Sequence, residues 1–253
     1  MKTSNLKYGA FCFVVCATAM ASTLALAGPP FLTDDPEPVG YQHHEFYIAS
    51  QQVRTQDGRN GTLPHFEFNY GAAPDLQLHI IAPYAFSNPV DGPRQRGLGD
   101  VELGAKYRFM RETEDRPMMG ILPIVVTHTG DADKGLGNGA TQVFLPLWLQ
   151  KKWGDWQSYG GGGYWINNAT DAKNHWFFGW QLQKEISEHL TLGGEIYQGT
   201  EQVSGEGSSS GFNLGGTYSL DEHNCLLFSA GRGLTNADKS NRSSSYIGYL
   251  LTW

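Results

Sequence analysis

Cysteine is scarce in this 253-residue chain, and two of its three copies, Cys12 and Cys16, lie close to the N-terminus. The remaining thiol, Cys225, can form neither an intramolecular disulfide nor a metal cluster. Its expected role is that of a small apolar strand residue. Basic charge is also short: 18 Lys and Arg stand against 25 Asp and Glu, for a net charge of −7. An acidic chain is a poor candidate for nucleic-acid binding. Long hydrophobic runs are missing too. After the first residues nothing approaches the ~18 uninterrupted apolar residues of a spanning helix.

What the chain has instead is 7 Trp, 12 Tyr, 13 Phe and 32 Gly, at a mildly polar mean hydropathy. Many aromatics and glycines with little continuous hydrophobicity point to strands of period two, whose apolar face is hidden from any window average.

The N-terminus reads as a cleavable secretory signal over residues 1–27. Lys2 and Lys7 make a basic start, Phe11 to Met20 an apolar run, and Ala25-Leu26-Ala27 a small-x-small cleavage site. The run is too short for a membrane anchor. Val15, where a lipoprotein needs a small residue before Cys16, argues against lipidation. Residues 28–41 follow as an extended strap. Pro29, Pro30, Pro36 and Pro38 cannot join a strand ladder easily. Two readings stay open for the strap: a disordered periplasmic tail, or a plug folded into a lumen through Phe31, Asp34, Asp35 and Glu37.

From residue 42 onward the pattern alternates. Val101, Leu103, Ala105, Tyr107 and Phe109 oppose Glu102, Gly104, Lys106 and Arg108; Trp176, Phe178, Trp180 and Leu182 oppose Gly179, Gln181 and Gln183. Strict alternation places one face in apolar surroundings and the other among polar groups. Twelve strands are predicted, over 42–55, 62–71, 76–86, 100–109, 118–129, 141–150, 156–166, 175–186, 190–198, 210–220, 225–232 and 244–253. Short connections (72–75, 110–117, 151–155, 187–189, 221–224) interleave with longer ones (87–99, 130–140, 167–174, 199–209, 233–243), with 56–61 a short exception. That rhythm predicts an all-β fold: a transmembrane, antiparallel, up-and-down β-barrel over 42–253, its tight turns in the periplasm of a Gram-negative cell and its longer loops outside.

The chain stops on Trp253, after Leu251, Tyr249 and Ile247 at alternate positions. This resembles the C-terminal signal of bacterial outer-membrane barrels, usually ending in Phe, that the barrel-assembly machinery reads. Tyr107, Phe109, Trp153, Trp156, Tyr249 and Trp253 are candidates for the periplasmic aromatic girdle, and Tyr84, Phe86, Trp165 and Trp176 for the outer one. Candidate lumen residues are His65, Glu67, Asn69, Gln77, His79, Glu102, Lys106, Arg108, Gln181, Gln183, Glu195, Asn213 and Thr217. They would select solutes or merely fill a narrow barrel with ion pairs.

Several segments are similar to an outer-membrane β-barrel family named for the meta-pathway of phenol degradation. They are Gly-Pro-Pro-Phe-Leu-Thr-Asp-Asp-Pro-Glu-Pro-Val at 28–39, His44-Glu45-Phe46-Tyr47, Asn69-Tyr70-Gly71, Pro74-Asp75-Leu76-Gln77-Leu78, and Gly-Asp-Val-Glu-Leu-Gly-Ala-Lys-Tyr-Arg-Phe at 99–109. Tyr159-Gly160-Gly161-Gly162-Gly163-Tyr164-Trp165 and Leu192-Gly193-Gly194-Glu195 extend the likeness. The resemblance implies an outer-membrane channel in the setting of aromatic catabolism, with no catalytic set and no cofactor.

Other chemistry is thin. The segment Gly130-Asp131-Ala132-Asp133-Lys134-Gly135 lacks the third acid and distal Glu of a calcium loop. His128, between Thr127 and Thr129, and the pair His43-His44 are too scattered for a hydrolase or a metal site. The expected function is passive uptake or efflux of small organic molecules, aromatic ones among them, with outer-membrane lipid and the assembly machinery as partners and no enzyme activity. A structural or surface-interaction barrel with a sealed lumen is the alternative, and an outer-membrane hydrolase the one after it.

Overall fold

The computed structural model describes residues 29–169 and 172–253. The expected secretion signal, 1–27, lies outside the described residues. Fourteen strands form one antiparallel sheet: β1 (His44–Arg54), β2 (Gly58–Ala73), β3 (Leu76–Pro89), β4 (Gln95–Leu98), β5 (Glu102–Met110), β6 (Met118–Ile121), β7 (Ile124–Val126), β8 (Gln142–Trp153), β9 (Trp156–Asn167), β10 (His175–Glu185), β11 (Leu190–Gly199), β12 (Ser209–Ser219), β13 (Asn224–Thr235) and β14 (Ser243–Thr252).

These fourteen make twelve staves. β3 pairs with β4 at Tyr84↔Leu98 and with β5 at Ile81↔Glu102, so β4 and β5 are two halves of one stave. β8 likewise pairs with both β6 and β7. The second break falls at Leu122-Pro123. Proline has no N–H to give the ladder, but its carbonyl still accepts from Ala105 N at 3.2 Å. β4 lies inside 87–99, which the sequence pattern assigns to a loop. Its four residues pair only because β3 runs on to Pro89 beside them. The 56–61 loop shrinks in the same way to a tight turn, closed by Thr55 N to Gly58 O at 2.9 Å.

β14 pairs with β1 along ten residues, Glu45↔Thr252 to Arg54↔Ser243, and closes the cylinder. His44 N donates to Trp253 O at 2.9 Å, and Trp253 N to His44 O at 3.2 Å. Closure pairs the edges that β1 and β14 would otherwise leave open. The alternating faces fall as predicted. Trp180 (54%), Leu214 (62%) and Ile247 (66%) are exposed on the outside, whereas Gln181 (0%) and Asn213 (5%) are buried inside. The outer surface is therefore an apolar band, inside out relative to a water-soluble barrel.

The interior departs from the expected polar filling. Tyr47, Ala49, Cys225, Leu227, Tyr246 and Leu250 form one buried apolar cluster. Leu122, Phe144 and Trp148 form another, with Ile124, Trp165 and Phe177 packed against it.

Candidate functional site

The strap runs through the barrel. Thr33, Asp35 and Pro36 are fully buried within it. Glu195 of β11 is its main anchor. That carboxylate accepts from Leu32 N at 2.9 Å, Thr33 N at 2.8 Å, Thr33 Oγ1 at 2.6 Å and Asn213 Nδ2 at 2.6 Å. Ser229 Oγ of β13 donates to Pro30 O at 2.6 Å. On β10 the wall yields to the strap: a Cβ at Gly179 would collide with the Thr33 side chain, so glycine lets the two backbones approach.

The strap's acids meet bases on the opposite side. Lys106 Nζ of β5 lies 3.0 Å from Asp34 Oδ1 and 3.3 Å from Asp35 Oδ2, with Lys106 and Asp35 both buried. Buried charges need such partners. Glu37 accepts from Gln150 Nε2 at 3.0 Å, with Lys152 at 3.7 Å and Arg108 at 4.0 Å. Val39 N donates to Gln77 Oε1 at 2.9 Å, and Gln42 N to Gly71 O at 2.8 Å. The strap is thus fixed to staves on both sides of the lumen.

Above the Lys106 pair, β1, β2, β3 and β5 carry a polar ladder. Asn69 Nδ2 donates to Glu67 at 3.0 Å and to Glu45 at 3.2 Å. Both ring nitrogens of His79 face acceptors, Asn69 Oδ1 at 2.8 Å and Glu102 Oε1 at 3.0 Å. His65 Nδ1 bonds Thr62 Oγ1 at 2.7 Å. At the turn between β2 and β3, burial pushes Asp75 upward. Hydrogen bonds from Arg111 and Arg108 outweigh it and hold the carboxyl below its ordinary range.

The facing wall is aromatic. Phe144 stacks on Trp165 at 4.5 Å and meets Phe177 edge-on at 6.3 Å and Trp148 at 6.4 Å. The glycine run at 160–163 makes room for these rings. Cβ atoms at Gly161 and Gly163 would press on Trp148 and Phe144 inside, and at Gly160 and Gly162 on Trp180 and Phe178 outside. Without side chains, β9 is a thin wall against which aromatics lie on both faces. The indole N–H of Trp148 has no hydrogen-bond partner among the described residues. A cavity of about 1230 Å³ lies between the two walls, bordered by Glu67, His79, Glu102 and Lys106 on one side and by Phe144, Trp148, Trp165 and Phe177 on the other.

Residues 53–246 match the profile of a family described as the MetA-pathway of phenol degradation. The chain belongs to that family. Among solved structures, an outer membrane channel from Pseudomonas putida F1 superimposes with a TM-score of 0.70 at 16% identity, covering 87% of this chain and 98% of that one. The KdgM porin, in complex with disordered oligogalacturonate, gives 0.57 at 10% identity, covering 83% and 99%. The NanC porin gives 0.56 at 7% identity, covering 81% and 98%. At such identities the likeness is one of fold. No curated protein matches the sequence.

Within this family member, nine of the thirteen lumen residues expected from the sequence border the cavity: His65, Glu67, Asn69, Gln77, His79, Glu102, Lys106, Arg108 and Asn213. Gln181, Gln183, Glu195 and Thr217 are buried on the same face away from it, Gln181 Nε2 donating to Gln183 Oε1 at 3.0 Å. The four strap residues named from the sequence are all inside the barrel, Phe31 among them at 9% exposure. Ile247, Tyr249, Leu251 and Trp253 alternate with the buried Tyr246 and Leu250.

Two girdle expectations need correction. Trp165 points inward onto Phe144 and borders the cavity, because β9 turns Trp165 to the side opposite Tyr164. Phe86 faces outward but is only 8% exposed, lying under the Arg59 guanidinium. The inward aromatics Phe144, Trp148 and Phe177 were missed because β8 and β10 place apolar residues on both faces there, which erases the period-two signal. His44 stacks against Tyr70 at 4.8 Å and Trp253 at 5.1 Å. The exposed His128 bonds Thr141, and Asp131 pairs with Lys134 at 2.5 Å.

Proposed function

We propose that this protein is an outer-membrane channel through which small organic molecules, aromatic ones among them, diffuse passively. The observation that carries this reading is the cavity with chemically opposite walls. One presents ring faces, the other carboxylates, an ammonium and an imidazole. Ligand pockets commonly enclose roughly 300–1,000 Å³, so a space of about 1230 Å³ holds a small solute together with water. A ring stacks on the Phe144–Trp165 pair. Its hydroxyl or carboxylate exchanges hydrogen bonds with the polar ladder or with the free Trp148 N–H. Several weak sites favour passage over retention.

The apolar exterior supports placement in the outer membrane, with lipid on the outside and β14 as the strand offered to the barrel-assembly machinery. Residues 29–41 act as a plug held in the lumen. No catalytic role is proposed: His128 sits on an exposed rim with Thr141, and His44 is stacked into the closure. A second reading, a sealed structural barrel, draws on the complete burial of Thr33, Asp35 and Pro36.

The test is single-channel recording of the refolded protein in a planar bilayer, with phenols and aromatic acids added in turn. Discrete openings blocked by such compounds, and less so in Phe144→Ala, support the channel. A silent barrel that still migrates as a heat-modifiable band favours the sealed reading.

A further inference from the structure

A second site lies on the outside of the barrel, at the end that carries the longer loops. Arg54 ends β1 and Arg59 lies near the start of β2, and the register sets them directly opposite each other. Their sequence neighbours Val53 and Asn60 border the internal cavity. Alternation therefore turns both arginines outward. Arg59 also pairs with Asn88 of β3. Arg94, in the β3–β4 connection, completes a hollow of about 350 Å³ lined by Arg54, Gly58, Arg59, Asn88, Val90 and Arg94.

This arrangement is costly as it stands. Like charges directly across a strand pair destabilise it. No carboxylate lines the hollow. Ion pairs among the described residues engage Arg108, Arg111 and Arg242, but not Arg54, Arg59 or Arg94. In a chain with an excess of acids, three permanent cations are left together without an anion. Two apolar side chains adjoin them: the Arg59 guanidinium lies 5.5 Å over the Phe86 ring, and Val90 on the rim is 69% exposed. Cations above an apolar band match a molecule with an anionic head and hydrocarbon chains.

We propose that this hollow binds the phosphate of a phosphorylated glycolipid of the outer leaflet. The guanidinium forks of Arg59 and Arg94 donate paired hydrogen bonds to the phosphate oxygens, Arg54 neutralises the remaining charge, and the acyl chains lie along the outward face of β2 and β3. The site rests on the outer-membrane reading above, because only there does this end of the barrel meet such lipids. It is independent of what passes through the lumen.

Native mass spectrometry of the refolded full chain in detergent tests it, with bisphosphorylated lipid A and its dephosphorylated form as probes. The wild type is expected to retain lipid A, and retention to fall about tenfold in the Arg59→Gln/Arg94→Gln variant and with the dephosphorylated lipid. Heat-modifiable migration reports folding of both proteins, and Arg54→Gln, a milder change, should show an intermediate loss. Equal retention by wild type and double variant overturns the site. Displacement of lipid A by millimolar inorganic phosphate overturns the lipid assignment. A wild type that shows no heat-modifiable band in detergent overturns the membrane reading itself, and this site with it.

Discussion

Glu195 holds the strap with one side chain. Leu32 N, Thr33 N and Thr33 Oγ1 all depend on its carboxylate. Hydrogen bonds to a charged group contribute about 1.5–3 kcal/mol each. Glu195→Ala is expected to free the strap without opening the barrel, seen in planar bilayers as larger or flickering conductance. Traces identical to wild type would show that the strap is held elsewhere. Lys106 is the second fastening. Lys106→Met leaves Asp34 and Asp35 without their counter-ion, and breaking a buried pair costs about 3–5 kcal/mol. The urea midpoint should fall and cation selectivity should rise, whereas Lys106→Arg should preserve both. These residues were legible individually: a charged side chain at an inward position of a strand stands out against its alternation. What each one touches was not, because Thr33 and Glu195 are 162 residues apart in sequence.

At the scale of the element, the strap is the part whose place no periodicity could reveal. Its prolines exclude it from the sheet, which leaves lumen and solvent equally open. The glycine at 179 and the bases at 106, 108 and 152 decide for the lumen. Deleting Pro29 to Pro38 is expected to raise single-channel conductance while leaving heat-modifiable migration intact, since none of these residues belongs to a strand. Unchanged conductance would count against a plug. The strands themselves were readable almost to their ends. The exceptions are instructive: β4 forms in a Gly- and Pro-rich stretch because a neighbouring stave is there to pair with, and the β6–β7 stave tolerates Pro123 by sparing one donor.

For the whole molecule, the decisive property is which face meets what. Leu214 and Asn213 are adjacent on β12, yet one is 62% exposed on the outer band and the other is buried against Glu195. An arginine on a lipid-facing strand near the bilayer middle costs about 2–4 kcal/mol. Leu214→Arg is expected to lower stability by that amount in lipid vesicles, measured by denaturant titration of the tryptophan emission. A smaller cost in vesicles than in detergent would contradict an apolar surround.

The sequence by itself indicated the twelve staves, though not the two short extra strands, together with the outward face and the closed topology, because a period of two and the spacing of turns are local properties that each strand carries alone. It also named Glu67, Glu102, Lys106, Arg108 and Glu195, which lie inside the barrel, but not Glu45, which borders the cavity beside them. Only the tertiary structure decided where the strap lies, that β8, β9 and β10 turn a wall of rings inward, and that Arg54 and Arg59 stand opposite each other. Those facts depend on which staves meet across a closed cylinder, and contacts between distant segments leave no periodic trace in the chain.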